Sequence, residues 1–262
     1  MPVLAIDIGN TRIGLNAFSD GKAADPALRL THAELDKELA PTLKSLWQKV
    51  EAESDTADDE DTGIIIASVV PALTARLEAA VQKELTQKPI LIGRDLKVPI
   101  KTMLTDESTV GTDRLLAAVA SFVNTEAACA IIHAGTALVV DCIDAEGIFR
   151  GGAIAPGLRM SGIALHEYAA QLPEASLTPP ADDVPFGRFT QEAINLGLFA
   201  AARGTARELL ERYATALGAW PHVVATGGDA QLLFADIGLV DSFIPDLALQ
   251  GAALVWEHAR KR

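Results

Sequence analysis

The chain has 262 residues, 49% of them hydrophobic, which is enough for one large or two modest buried cores. Its 35 acidic and 22 basic residues give a formal charge of -13, and that balance offers no basic field to displace phosphate counterions, which argues against a general nucleic-acid binder. No cationic segment precedes the short apolar N-terminal stretch and no run of about eighteen apolar residues occurs, so we expect no signal peptide, no membrane-spanning helix and a cytoplasmic location.

Val3 to Ile8 reads as a strand, and Ile13 to Phe18 alternates as the returning strand of a hairpin. The turn Asp7-Ile8-Gly9-Asn10-Thr11 is thereby presented at a sheet edge. Gly9 lets the backbone approach an anion, Asn10 and Thr11 offer donors, and Asp7 is placed to hold a hydrated divalent cation that bridges phosphates. The same residues also fit an ordinary hairpin turn with Asn and Gly supplying positive φ.

Ala33 to Val50 follows as an amphipathic helix through Leu35, Leu39, Leu43, Leu46 and Val50, ending in the acidic tract Glu51 to Asp61, which reads as a solvated loop. Ile64 to Val70 is a buried-strand candidate, and Ala72 to Leu85 is a helix with Leu73, Leu77, Val81 and Leu85 on one face. Pro89 to Ile92 is a short strand, and Lys97 to Thr109 is irregular. After Gly111-Thr112-Asp113-Arg114, helical spacing of Leu115, Leu116, Val119, Phe122 and Val123 places Asp113 in a first turn. There it either favours the helix dipole, with Arg114 solvated, or acts as a general base with Arg114 as an anion clamp.

Ile131 to Ala137, followed by Leu138-Val139-Val140-Asp141, repeats the opening pattern of strand, polar residue, glycine turn and returning strand, with His133 in the place of Asp7. Two such hairpins suggest a duplicated sheet unit. A third glycine turn, Thr226-Gly227-Gly228-Asp229, follows the apolar run Val223 to Ala225, at the strand end where open α/β sheets bind nucleotides. Between them Thr190 to Leu217 is helix-prone, with Ile194, Leu198, Ala201 and Ala202 on one face for a core or a dimer seam, and Thr190 also fits an ordinary N-cap. Cys129 and Cys142 read as buried free thiols, His32, His166, His222 and His258 as structural or surface residues, and Trp47, Trp220 and Trp256 as packing residues.

Taken together, Asp7-Ile8-Gly9-Asn10-Thr11, Ser68-Val69-Val70-Pro71, Gly111-Thr112-Asp113-Arg114, Gly135-Thr136-Ala137, Gly151 to Gly157, Leu172-Pro173, Gly187 to Thr190 and Thr226-Gly227-Gly228 resemble, in order and spacing, the motifs of type III pantothenate kinases. These belong to the superfamily of acetate and sugar kinases, heat-shock 70 proteins and actin. The resemblance implies an α/β fold of two duplicated ribonuclease-H-like (actin-like ATPase) domains, 1–112 and 113–262, with a cleft between them. It implies ATP-dependent phosphorylation of pantothenate in coenzyme A synthesis by a homodimer that uses Mg2+ and a monovalent cation, K+ or NH4+.

Carried over by position, Asp113 is the proton acceptor, and Gly111, Thr112, Asp113, Arg114 and Thr190 contact pantothenate. Asp7, Ile8, Gly9, Asn10 and Thr11 with Gly135 and Thr136 hold the ATP phosphates, with Asp7 on magnesium through water. Gly227 and Gly228 lie near the adenosine. Three positions depart from the pattern. His133 stands where the family has the aspartate that ligates the monovalent cation, and imidazole is a poor potassium ligand. Leu138 and Val139 replace a threonine, and Leu104 to Glu107 replaces a tyrosine-bearing segment. These departures keep a catalytically weak nucleotide or pantothenate sensor open as an alternative, alongside a superfamily phosphatase.

Overall fold

In the opening hairpin of the computed structural model, which describes residues 1–54, 62–181 and 184–260, β1 (Val3–Ile8) pairs antiparallel with β2 (Arg12–Ser19). After the short β3 (Lys22–Ala23), β4 (Leu28–Thr31) adds to the far edge of β2. The chain then crosses through α1 (Leu35–Ala52) to β5 (Gly63–Ser68), parallel to β1, and through α2 (Pro71–Leu85) to β6 (Ile90–Leu91), parallel to β5. Residues 55–61 of the acidic tract lie outside the described residues, whereas Glu51 and Ala52 extend α1.

This first sheet is buried on both faces because alternate residues of β1 look opposite ways. Leu4, Ile6 and Ile8 pack with the Leu35, Leu39, Leu43, Leu46 and Val50 stripe of α1 and with Leu77 and Val81 of α2. Val3 and Ala5 face Leu116 together with Leu249, Ala252, Val255 and Trp256. Leu116 belongs to α3 (Thr112–Thr125), which comes after β7 (Lys101–Thr102) and a single 3-10 turn at Glu107–Thr109.

The second sheet repeats the connectivity of the first. β8 (Cys129–Ala134) and β9 (Ala137–Ile143) form an antiparallel hairpin, and β10 (Ile148–Pro156) continues antiparallel on β9. After α4 (Leu158–Tyr168) and α5 (Thr190–Leu217), β11 (His222–Thr226) returns parallel to β8. α6 (Ala230–Phe234) then leads to β12 (Ser242–Phe243), parallel to β11, and α7 (Leu247–Arg260) is the last element among the described residues. The order β2-β1-β5-β6 thus recurs as β9-β8-β11-β12, the duplication expected from the two hairpins.

Contacts group the chain into two units, Met1–Lys101 with Thr105–Asn124 and Asp246–Arg262, and Thr102–Leu104 with Thr125–Pro245. A single cut after residue 112 does not reproduce this grouping, since α3 and α7 both pack on the first sheet.

Three packing expectations are corrected. The buried residues of α3 are Leu116, Ala117, Ala118, Ala120 and Ser121, while Val123 is 51% exposed. The reason is Gly251 of α7, where a Cβ would come within 2.1 Å of the Leu116 carbonyl, so the helices meet at small residues rather than at a large apolar stripe. On α5 the inward stripe is Ile194, Leu198, Phe199, Ala202, Ala206 and Leu210, and Ala201 is exposed. Trp47 and Trp256 are core residues, but Trp220 is 52% exposed because it lies in the turn before β11.

Cys129 and Cys142 are free and buried, and burial pushes their thiols up to about 12 and about 11. Cys142 pairs with Ala130, so Cys129, one residue along the strand, points to the opposite face and cannot bridge to it. No helix among the described residues is long and apolar enough to cross a membrane.

Candidate functional site

In the first unit, the carboxyl ends of the parallel strands β1, β5 and β6 gather the expected residues. The Gly9 amide donates to the Arg12 carbonyl at 3.0 Å and closes the hairpin turn, leaving Asn10 and Thr11 exposed. Ile8 points its side chain into the core, so only its backbone is available to a ligand. Beside the turn, β5 ends at Ser68, whose hydroxyl accepts from the Val70 amide at 3.0 Å and from the Thr74 hydroxyl at 2.8 Å, fixing the start of α2.

The Gly111 to Arg114 segment closes over the same edge. The Thr112 hydroxyl donates to the Ser68 carbonyl at 3.4 Å, and its methyl lies 3.4 Å from where a Cβ of Gly93 would be. Asp113 Oδ1 accepts from the Arg114 amide at 2.9 Å and lies 2.4 Å from the place of a Cβ on Gly111. Glycine at 111 is therefore a steric requirement of the Asp113 rotamer. Asp113 does lie in the first helical turn, as the spacing indicated.

The electrostatics of this edge are unusual. Burial first, and then the charges of Asp113 and Asp246, together raise the Asp7 carboxyl to about 7. A carboxylate held in excess negative charge is relieved by a cation, and its hard oxygen suits magnesium, which keeps most of its waters and needs only one or two carboxylates with substrate phosphates. The residues present fit a hydrated divalent cation at Asp7. Among the described residues no three His, Cys, Asp or Glu side chains form a closed metal cage.

Two further neighbours of this edge carry no motif. His32, read from sequence as structural or surface, sets its Nε2 3.1 Å from the Gly9 carbonyl. Asp246, at the start of α7, ion-pairs with Arg29 of β4. The one sequence signal for Asp246 is an acidic residue preceding an amphipathic helix, which reads as a cap and says nothing of a partner near the N-terminus.

In the second unit, the carboxyl ends of β8 and β11 lie side by side and bring two glycine turns together. Gly227 has φ +97, and a Cβ there would meet the Ala134 carbonyl at 2.2 Å and the His133 ring at 2.9 Å. A Cβ on Gly157, at the head of α4, would meet the Gly135 carbonyl at 2.1 Å and that of Thr136 at 2.6 Å. The Gly135-Thr136 turn is thus walled by backbone, with a bare Cα on each side. Gly157 was legible only as part of a family motif, without a role.

His133 holds the next-to-last place of β8, as Asp7 does of β1, and its paired neighbours are Val139 and Thr226. Leu138 belongs to the core, so the hydroxyl missing from the family pattern is lost on the His133 face only at Val139. Leu104 packs on Gly151, with its Cδ2 3.3 Å from the place of a Cβ. Thr190 does not cap α5: Phe189 holds that position without a side-chain bond, and Thr190 is the exposed first helical residue.

A family model described as type III pantothenate kinase matches residues 3–212. Curated relatives of that name include one from Dehalococcoides mccartyi, 32% identical and covering 97% of each chain. Another, from Brevibacillus brevis, is 32% identical over 98% of each chain. Two solved structures share the fold at lower identity. A putative Baf family transcriptional activator from Campylobacter jejuni superposes with a TM-score of 0.63 at 18% identity, over 99% of this chain and 100% of that one. The activator of 2-hydroxyisocaproyl-CoA dehydratase from Clostridium difficile, with bound ADPNP, gives 0.57 at 14%, over 100% and 96%. The fold is the duplicated actin-like α/β architecture, and the chain belongs to the type III pantothenate kinase family.

Proposed function

We propose that the protein is an ATP-dependent kinase that phosphorylates pantothenate to 4'-phosphopantothenate, the committed step toward coenzyme A. Beyond family membership, the observation that carries the reading is the bond of the Thr112 hydroxyl to the carbonyl of Ser68, the register partner of Ile8, which sets the Asp113 turn at the strand edge that ends in Asp7-Ile8. It puts a candidate proton acceptor beside the carboxylate of the phosphate turn.

In this reading Gly9, Asn10 and Thr11 of the first unit, with the backbone of Ile8, bind ATP phosphates; in the second unit Gly135 and Thr136 form a phosphate turn, and Gly227 and Gly228 receive the nucleoside. In the first unit Gly111, Thr112 and Arg114 orient pantothenate. Asp113 accepts the proton of its hydroxyl as that oxygen bonds to the γ-phosphorus and ADP leaves, and positioning supplies most of the rate. Asp7 would hold magnesium through water, and the ion would supply charge neutralisation at the phosphates. The resemblance also implies a homodimer, which sedimentation would check. It implies a monovalent cation as well, but we place none at His133.

ADP release with and without pantothenate, in K+, NH4+ and Na+, tests the proposal. Pantothenate-dependent ADP is expected, and its absence in all three salts would overturn the assignment. Tight nucleotide or pantothenate binding without turnover would mark a sensor instead.

A further inference from the structure

A charged pair outside the assigned residues stands beside Asp7. In the strand register Asp7 of β1 pairs with Gly14 of β2, and Gly14 pairs with Arg29 of β4. Paired residues of antiparallel strands share a face, so Asp7 and Arg29 look out on the same side with only the bare Cα of Gly14 between them. α7 lies over that gap, since a Cβ on Gly14 would come within 3.2 Å of Leu249 Cδ1.

Asp246 reaches this row from the head of α7. Its carboxylate accepts from the Arg29 guanidinium and from the Ala27 amide, while its carbonyl accepts from the Gln250 amide at 3.0 Å. It does so with φ +57, a left-handed conformation rare for residues other than glycine, asparagine and aspartate. Aspartate is among the few residues that adopt it readily, and the Asp246 carboxylate side chain is held only 18% exposed by these partners.

We propose that Asp246 and Arg29 form a positioning pair for the cation taken up at Asp7, in which Asp246 accepts hydrogen bonds from cation-bound water and Arg29 fixes and balances its charge. The charge of Asp246 also acts on Asp7, as the smallest of the three causes that raise its carboxyl. The proposal rests on the kinase reading above for the identity of the cation site. It adds an acceptor that no motif assigns.

Asp246→Asn and Arg29→Met test it with opposite signs. Asparagine is isosteric, tolerates the left-handed backbone and retains the carbonyl cap, whereas methionine keeps the stem and leaves Asp246 unbalanced. Mn2+ binding is followed by the free-ion paramagnetic resonance signal in the presence of ADP, with no pantothenate added. Asp246→Asn is expected to weaken Mn2+ binding by about tenfold, the lower end for an outer-sphere partner, and Arg29→Met to tighten it. Arg29→Lys, which keeps the charge, is expected to stay near the wild type.

Melting curves in EDTA confirm that each variant is folded. Unchanged Mn2+ binding in Asp246→Asn, or a shift of both variants in one direction, would overturn the pair. Cation shifts of opposite sign without pantothenate turnover would uphold the pair and overturn only the substrate assignment.

Discussion

Asp113 lies close enough to Asp7 for its charge to hold the Asp7 carboxyl up, although the two stand on different elements, α3 and β1. Burial is the largest cause, and with the charges of Asp113 and Asp246 it raises Asp7 from 3.8 to about 7. The folded state then binds a proton that the unfolded chain has already released. Without cations, stability therefore falls as pH rises from about 4 to about 7 and stays reduced above, by at most about 4 kcal/mol if the whole shift is realised. Denaturant titrations at pH 4.5 and 8 are expected to show this slope in the wild type and to lose it in Asp7→Asn. Added Mg2+ with ADP is expected to restore stability at pH 8. An equal slope in both proteins would remove Asp7 as its cause.

Asp113→Asn separates chemistry from binding. Removal of a general base costs about 100- to 10,000-fold in kcat, whereas ADP affinity is expected to stay within about threefold of the wild type. The same substitution deletes one of the charges that raises Asp7, so the window of pH-dependent stability is expected to move toward lower pH. Stopped-flow turnover, calorimetry and denaturation check the three consequences. Full turnover by Asp113→Asn would take the proton-accepting role from it.

The opening hairpin, the α1 stripe, the second hairpin and α5 were all legible because each is a local pattern whose period matches its burial. The inner faces of α3 and α5 were less so. Which helical face turns inward is decided by partners distant in sequence, such as Gly251 against Leu116. Asp7, Asp113 and the glycine turns could be named because they stand in motifs. Asp246 and His32 could not, since an ion pair to Arg29 and a 3.1 Å contact to the Gly9 carbonyl exist only once β4 and α7 have folded onto the first hairpin. The grouping of α3 and α7 with the first sheet is likewise a tertiary fact, and no composition shift marks it.

The bare Cα of Gly157 gives a prediction about the second turn. In Gly157→Ala the new methyl would sit 2.1 Å from the Gly135 carbonyl, a backbone atom that cannot rotate away. Overpacking of this kind costs on the order of 1–3 kcal/mol, and the relief has to come from movement of the Gly135-Thr136 turn. We expect a lower denaturation midpoint with an unchanged slope, and a loss of ADP affinity larger than the loss of pantothenate affinity. Calorimetry with each ligand decides the point, and equal losses would mean that the turn does not hold the nucleotide.

His133 carries the most specific departure from the family, and its surroundings say what that departure should do. The ring sits in the next-to-last place of β8, between Val139 and buried Thr226, with Gly135 and Gly227 at its edge. Potassium prefers several oxygen ligands, and here the strand presents an imidazole beside a valine, so the carboxylate oxygen of the family pattern is absent. Turnover of the wild type is accordingly expected to vary by less than about twofold among K+, NH4+ and Na+ at constant ionic strength. His133→Asp restores the oxygen and leaves space where the ring was, so this variant is expected to gain stimulation by K+ or NH4+ over Na+. Because the comparison is internal to each protein, a general loss of activity on substitution does not obscure it. Strong dependence of the wild type on K+ would show that other oxygens, such as backbone carbonyls of the glycine turns, complete the cation site without a carboxylate at 133.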